Sequence, residues 1–220
     1  MVFSVTRSGS LHLDDDRHLV VWMTLVIYFL RRRRMAMGAS QQKKTESRRA
    51  IIVAAARLFR ERGIDDVTVA DIMAAAGLTH GGFPRHFASK QELVTAAMAE
   101  VLGLNGSAPV LAATDLHSFA ATYLRPEHRN APGQGCLFAA LGPEMARAPA
   151  PTRRMLTEAI NAQIDQFAQS VADEDAHRRR VVAIGSWAAM VGAMVLARVS
   201  DLDDLSDEIL AAAREFLDGA

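Results

Sequence analysis

The sequence predicts an all-α fold of about nine helices, and three observations support this. First, the 220 residues are rich in Ala, Leu, Arg and Met but include only two Tyr and two Trp, a composition that favours helices over sheets. Second, apolar residues recur with a helical period in segments bounded by capping residues, glycine or proline. Third, no segment of any length alternates between apolar and polar residues as a half-buried strand does.

The head of the chain, residues 43–91, is predicted to contain three helices. The first follows a 3.6-residue apolar period and ends at Gly63. Thr68 is a good N-cap for a short second helix, which Gly77 ends. Thr79 caps a third segment that runs to about residue 87.

The rear of the chain, residues 92–220, is predicted to be a helical domain. Ser89 caps its first helix, with Glu92 completing a capping box. Six prolines then divide the middle of the chain, and the stretch RPEHRNAPGQG is predicted to be a loop. The other predicted rear helices comprise about residues 115–124, 135–147, 152–172, 175–199 and 206–217.

Charge is balanced over the whole chain but not along it. The 25 basic residues equal the 25 acidic ones, and half of the chain is apolar, which excludes a disordered polypeptide. Residues 31–62 carry eleven basic and two acidic side chains, whereas residues 173–220 carry ten acidic and five basic ones. A basic front and an acidic rear suit a protein that binds a polyanion at one end.

Residues 1–42 form an N-terminal extension that fits poorly with the rest. The twelve-residue, largely apolar run 19–30 precedes four arginines, but about 20 such residues are needed to span a bilayer. Aspartates, rather than the basic residues of a signal peptide, come before this run. Three interpretations remain open: a membrane-surface anchor, an amphipathic or extended arm, and sequence upstream of the true start. We favour the last, because Met35 and Met37 directly precede a polar segment.

Residues 68–87 have the spacing of a helix-turn-helix. A short capped helix meets the tight turn at Gly77 and Leu78, then a second capped helix, and their apolar residues share one seam. Such a pair presents the start of its second helix to the major groove of DNA. Spacing alone is a weak signal, because any tight corner between two helices shows it.

The segment from Arg48 to Leu93 resembles the DNA-binding head of the TetR family of transcriptional regulators. The stretches LFRERG, TVADIMAAAGLT and HFASKQEL carry the resemblance. It implies an all-helical homodimer that binds a palindromic double-stranded operator, with a rear ligand-binding and dimerisation domain that controls DNA release. We therefore expect a cytoplasmic transcriptional regulator, in particular a repressor released by a small apolar effector.

The resemblance also implies which residues contact DNA. Thr79 and His80 would start the recognition helix, and Thr68 and Lys90 would contact phosphates. The full set of expected contacts is Lys43, Lys44, Arg48, Thr68, Thr79, His80, Gly81, Gly82, Arg85, His86 and Lys90. Two alternatives stay open: the lysines can be a solvated surface, and His86 can simply pack beside Phe87.

Pro84 departs from the family's pattern, which commonly has Tyr at this position. An interior proline costs a helix about 3 kcal/mol, and the glycines before it add to this cost. We expect a recognition helix that is short, distorted or 3₁₀-like. It also lacks the tyrosine hydroxyl that would reach a phosphate.

Aromatic and methionine side chains of the rear domain are candidates for an effector pocket between helices. The candidates are Phe119, Tyr123, Cys136, Phe138, Met145, Phe167, Trp187 and Met190. Plain core packing is the alternative for all of them. Cys136, the one cysteine, excludes an intramolecular disulfide and fits a reduced compartment. It is either a reactive thiol at a helix start or a buried inert one.

Small and apolar residues near the C-terminus predict a two-fold interface between two chains. The expected interface residues are Gly185, Ala188, Ala189, Gly192, Val195, Leu205, Ile209 and Leu210. The histidines lack metal-ligand spacing, so we expect no metal, and we expect no cofactor.

An enzyme is the first competing interpretation. The sequence lacks a phosphate-binding glycine loop, GxSxG and a paired-histidine metal motif, so we expect no enzymatic activity. The alternative function is a membrane-associated helical adaptor that uses residues 19–34.

Overall fold

The computed structural model describes residues 41–105 and 115–219. The chain divides into two units, residues 1–46 and 47–220. In the smaller unit, residues 41–46 are helical, and Lys43 and Lys44 are exposed. The interpretations placed on residues 1–40, including the membrane-associated adaptor, lie outside the described residues.

The described part of the larger unit is all-α, as the sequence predicts. In the head, α1 comprises residues 47–62, α2 is Val69–Ala75 and a 3₁₀ turn is His80–Arg85. Helix α3 is Lys90–Val101 and leads from the head into the rear domain. Further along, α4 is Leu116–Tyr123, α5 is Pro126–Asn130, a second 3₁₀ turn is Pro132–Gln134, and α6 is Leu137–Met145. The three last helices are α7 (Ala150–Ser170), α8 (Ala176–Val199) and α9 (Asp203–Asp218).

The loop predicted between α4 and α6 is wrong in part, because it contains α5 and the second 3₁₀ turn. Pro126 and Pro132 each occupy a first helical position. A proline there has no amide donor to lose, and its fixed φ suits the first turn. These prolines therefore start helical segments rather than interrupt them.

One apolar core joins the head to α6 and α7. Phe59, Ile72 and Phe87 are buried in the head, and Leu141 and Leu156 belong to the same cluster. A continuous core of this kind makes the head rest on the rear helices through close packing.

A second core lies among α4, α6, α7, α8 and α9. Helix α8 packs mainly against α7 and α9, and α4 contacts both α8 and α9. Phe167 and Met190 are wholly buried at its centre. Among the described helices, α8 alone is long and apolar enough to cross a membrane by length and composition, with a mean hydropathy of 1.7. One such helix is weak evidence for a span, because helices of soluble proteins satisfy the same test.

Candidate DNA-binding head and effector cavity

The start of α2 is closed by a capping box. The Thr68 hydroxyl accepts from the Asp71 amide, and the Asp71 carboxylate accepts from the Thr68 amide and hydroxyl, at 2.9 and 2.5 Å. These bonds, first of all the one from the Thr68 side chain, hold the pKa of Asp71 below its ordinary value. The capping role of Thr68 is confirmed, but its hydroxyl is committed within the chain rather than free for a phosphate.

The recognition segment is a 3₁₀ turn rather than an α-helix, which confirms the expectation drawn from Pro84. Thr79 occupies the N-cap position, although its side chain makes no capping bond. The chain reverses into this turn at Gly77, whose φ of 70° suits glycine. Thr79, His80, Gly81 and Arg85 are exposed, and Gly82 and His86 are half-buried. The turn thus presents a short polar edge to solvent.

Two aromatic rings hold this turn on the head. Phe83 and Phe87 stack with centroids 5.8 Å apart, and both rings are buried. Gly82 packs closely as well, since a Cβ added there would lie 3.5 Å from the Met73 Cε. A Cβ added at Gly81 would meet nothing within 4 Å. The backbone at Gly81 is therefore open to a partner.

Replacing Pro84 is expected to strengthen DNA binding. Pro84 is exposed and lies inside the turn, so Pro84→Tyr removes the ring that opposes α-helical geometry and adds a phenol at the surface. One extra phosphate contact for each chain should make the salt slope steeper by about 0.9 per contact. Fluorescence anisotropy with one duplex at several salt concentrations measures this. Identical salt slopes for both proteins would show that Pro84 does not limit the contact.

The Arg48 side chain contacts the rest of the head at three points. Its guanidinium donates to the His86 carbonyl and to the Glu92 carboxylate at 3.2 Å, and it lies 3.9 Å above the Phe87 ring. The sequence analysis missed this role, because His86 lies 38 residues after Arg48 and Glu92 lies 44 residues after it. A local sequence pattern does not connect residues so far apart. Arg48 fixes the end of the recognition turn, and direct DNA contact by it stays a prediction.

The start of α3 is capped differently from the predicted box. Ser89 accepts from the Glu92 amide, as expected, but the Glu92 carboxylate accepts from the Ala88 amide at 2.8 Å. This bond, followed by Arg48, lowers the pKa of Glu92. Lys90 is half-buried in the first turn of α3.

A cavity of about 240 Å³ lies in the rear domain between the end of α3 and helices α4, α6, α7 and α8. Four predicted pocket residues line it: Phe119, Cys136, Phe138 and Trp187. Phe138 and Trp187 meet edge to face at 5.4 Å. The sequence missed the polar part of the wall, Gln163 and Gln166, because glutamines on a helix are usually solvent-exposed.

The other four predicted pocket residues do not line this cavity. Tyr123, Phe167 and Met190 are fully buried in the rear core, and Met145 belongs to the core shared with the head. Their helical spacing therefore reflects core packing rather than a pocket.

His128 joins α5 to the start of α6. Its Nδ1 lies 2.7 Å from the Tyr123 carbonyl, and its Nε2 accepts from the Cys136 amide at 3.0 Å. Since Nε2 accepts, Nδ1 carries the proton and the ring is neutral. Burial, and to a smaller degree Arg198, lowers the pKa of His128.

This arrangement makes stability depend on pH. A histidine whose pKa is lowered on folding contributes stability above its unfolded pKa of about 6.5, and that stability is lost as pH falls further. We expect urea titrations between pH 7.5 and 5.5 to show this loss in the wild type and to show less of it in His128→Gln. His117→Gln, which alters an exposed histidine, is the matched control and should behave like the wild type. An unchanged pH dependence in His128→Gln would contradict the assignment.

Two polar contacts join the head to the rear domain and a third joins α3 to α7, and sequence patterns signalled none of them. Arg60 of α1, only 8% exposed, donates from Nε and Nη2 to the Gly133 carbonyl. The Ile64 amide donates to Glu144 of α6 at 2.8 Å. Thr95 and Thr152 share a hydrogen bond of 3.0 Å. Gly133 lies two residues before Gly135, which lines the cavity. The hydrogen bond from Arg60 to the Gly133 carbonyl therefore connects α1 to the segment next to the cavity.

An apolar face is exposed on α8 and α9. Val195, Leu196 and Val199 of α8 are 38%, 60% and 77% exposed, and Leu205 and Phe216 of α9 are also exposed. The other predicted members on α8 lie on or beside this face: Gly185, Ala188 and Gly192 are exposed, and Ala189 is half-buried. Leu210 is a correction, because it is 1% exposed in the rear core, and Ile209 packs against that core.

The capped helix α2, the tight glycine turn and the 3₁₀ turn that follows have the order of a helix-turn-helix, a motif of DNA-binding proteins. Residues 51–97 match the family model described as bacterial regulatory proteins, tetR family. The helix-turn-helix head of the chain is therefore of the tetR family type. No curated protein matches the chain in sequence.

Solved structures resemble this fold over about four fifths of the chain. A TetR family regulator from Cytophaga hutchinsonii is 20% identical, with 80% of this chain and 96% of that one covered and a TM-score of 0.59. The regulatory protein TetR from Rhodobacter sphaeroides is 24% identical, with 77% and 95% covered and a TM-score of 0.57. AibR, solved with isovaleryl coenzyme A and operator DNA, is 18% identical, with 78% and 97% covered and a TM-score of 0.53.

Proposed function

We propose that the protein is a dimeric repressor whose 3₁₀ turn binds a palindromic operator and whose rear cavity binds a small effector that releases the DNA. In this proposal residues 43–91 form the DNA-binding domain and residues 92–220 form the effector and dimerisation domain. It acts in the cytoplasm, where the operator is. The exposed edge from Thr79 to Arg85 is the observation that carries the proposal.

The recognition edge suits close contact with duplex DNA. His80 and Arg85 supply donors for base edges or phosphates, and Gly81 leaves its backbone open to the partner. Lys90 at the start of α3 is placed to contact a phosphate next to the groove. The buried Phe83–Phe87 stack fixes this edge, which lowers the entropy lost on binding.

Pairing of two chains through the exposed face of α8 and α9 supports operator binding. Exposure of the apolar side chains of Leu196 and Val199 to water is unfavourable. In a two-fold dimer the same face of a second copy would cover them. Two recognition turns held about 34 Å apart can then enter successive major grooves.

An effector can act by favouring one spacing of the two heads. The cavity wall at Gly135 is close in sequence to Gly133, whose carbonyl Arg60 of α1 binds. The end of α3 also lines the cavity. A ligand that binds more tightly to the arrangement of the two heads that does not fit DNA lowers the affinity for DNA. The size of this effect is set by the difference between the ligand's affinities for the DNA-binding arrangement and the other one. The neighbour solved with an acyl coenzyme A and operator DNA supports such a pairing of ligand and DNA sites.

Selection from a random duplex pool tests this function. The purified full-length chain is expected to enrich an inverted repeat and to bind it in moderate salt at least about 1,000-fold more tightly than random duplex. Enrichment of sequences without two-fold symmetry, or equal binding to random duplex, would contradict the proposal.

A further inference from the structure

One face of α7 forms the polar side of the rear cavity. Ala159, Ala162, Gln163 and Gln166 line the cavity, and their spacings of three and four residues place them on one side of the helix. The two alanines are short, which leaves room in front of α7. Ala162 and Gln166 are exposed to solvent, and Gln163 is half-buried. This side therefore forms the mouth of the cavity.

The rest of the wall is closed and largely apolar. Phe119, Cys136 and Leu137 are buried, and all three line the cavity. Phe138 and Trp187 also line it. An apolar group that enters such an enclosure is stabilised, because its own surface and that of the wall both leave water. The body of a ligand held there is thus apolar.

The cavity offers no partner for an ion. None of the described residues that line it is charged. Residues 106–114 follow Leu104 of the wall in the sequence, and although they lie outside the described residues, none of them is charged either. Arg60 and Arg198 bind backbone carbonyls and are not part of the lining. Since a charged group that leaves water without a partner is strongly destabilised, the lining selects against ions.

Gln163 is a polar side chain of the wall that is available to a ligand. It is half-buried, and among the described residues its amide group makes no hydrogen bond. A glutamine amide offers an acceptor oxygen and two N–H donors. The Gln163 side chain can therefore bind one uncharged polar group, such as a carbonyl, at the edge of the apolar space.

The volume of the cavity limits the size of its ligand. A cavity of about 150 Å³ holds benzene, so the 240 Å³ of this cavity suit about ten non-hydrogen atoms. We propose that the effector is an uncharged, largely apolar molecule of this size, whose polar group binds the Gln163 amide and whose apolar body lies against Phe119, Phe138 and Trp187. This inference deepens the proposed function and rests on it. It adds a hydrogen bond and the exclusion of ions to the apolar effector expected from the sequence.

Three probes of similar size and shape test the exclusion of ions. At pH 7.5 acetophenone is uncharged, benzoate is an anion and 1-phenylethylamine is a cation. We expect isothermal titration calorimetry of the full chain to give acetophenone a Kd at least about tenfold lower than that of either ion, because the wall offers neither ion a partner. Equal affinity for one of the ions, or no binding of acetophenone up to its solubility limit, would overturn the proposal.

Gln163→Leu tests the hydrogen bond. Isopropenylbenzene has a CH₂ group where acetophenone has its carbonyl oxygen, so the ratio of the two dissociation constants reports on that oxygen. We expect Gln163→Leu to shift this ratio at least about fivefold in favour of isopropenylbenzene. Such a shift corresponds to about 1 kcal/mol, the usual net value of one hydrogen bond.

Gln169→Leu is the matched control, since Gln169 is an exposed glutamine of α7 that does not line the cavity. It should leave the ratio unchanged. If Gln163→Leu does not fold, Gln163→Met, which keeps an unbranched side chain, is measured in its place. An unchanged ratio in the Gln163 variant, or the same shift in the control, would show that Gln163 does not bind the polar group.

Neither titration involves DNA. If an ion binds as tightly as acetophenone while the chain still selects an inverted repeat, the regulator stands and only the effector class is wrong. If operator selection fails while acetophenone binds through Gln163, the ligand site stands without the proposed function.

Discussion

Val195→Glu is expected to convert the dimer into a monomer and to lower operator affinity by two to four orders of magnitude. Val195 lies on the exposed apolar face of α8, close to Leu196 and Val199. A two-fold interface would bring two copies of the new carboxylate into an apolar contact, where an unpaired charge is strongly unfavourable. Linked heads gain about 10²–10⁴ in affinity from effective concentration, and a monomer loses that gain.

Sedimentation equilibrium and anisotropy on the selected duplex measure the two effects. Val53→Glu is the matched control, since Val53 is a 50% exposed valine on α1 of the head and not on α8 or α9. We expect this control to stay dimeric. A dimeric Val195→Glu protein with normal operator affinity would show that the face of α8 and α9 does not hold the dimer together.

Arg85→Ala is expected to weaken operator binding by about 2–6 kcal/mol for a dimer, because each of two copies loses a contact of about 1–3 kcal/mol. Arg85 is exposed at the end of the recognition turn. Its removal alters no intramolecular hydrogen bond of the described head, so stability should stay the same. If the contact is to a phosphate, the salt slope falls by about 0.9 for each copy.

Arg154→Ala removes the same charge from an exposed position on α7 and serves as the control. Anisotropy at several salt concentrations, with thermal unfolding as a check on stability, separates local contact from loss of net charge. Equal losses in the two variants would mean that Arg85 contributes only general electrostatic attraction.

The local parts of this structure could be predicted from the sequence. Thr68, Ser89 and Asp115 are N-caps whose side chains accept from nearby amides, and each of these bonds spans three residues. The distortion at Pro84 also follows from one residue and its ring. The α5 segment was missed because a proline signals both a loop and a first helical turn.

The contacts between distant residues could not be predicted in this way. Arg60 with Gly133 and Arg48 with His86 join positions 73 and 38 residues apart, and a charged side chain in a helix is usually a solvated one. Pocket and core residues share the same apolar helical spacing, so the sequence could not separate Trp187 from Met190. Only the packing of α3, α4, α6, α7 and α8 decides which of them meets the cavity.

Hydroxyl-radical footprinting of the selected operator tests the central claim most directly. Two turns of residues 79–86, held by paired α8 and α9 helices, should protect two patches on one face of the duplex, about 10 base pairs apart between centres. Both patches should fade together in Arg85→Ala, while Arg154→Ala keeps them. A single protected patch, or two patches that persist without Arg85, would contradict the account.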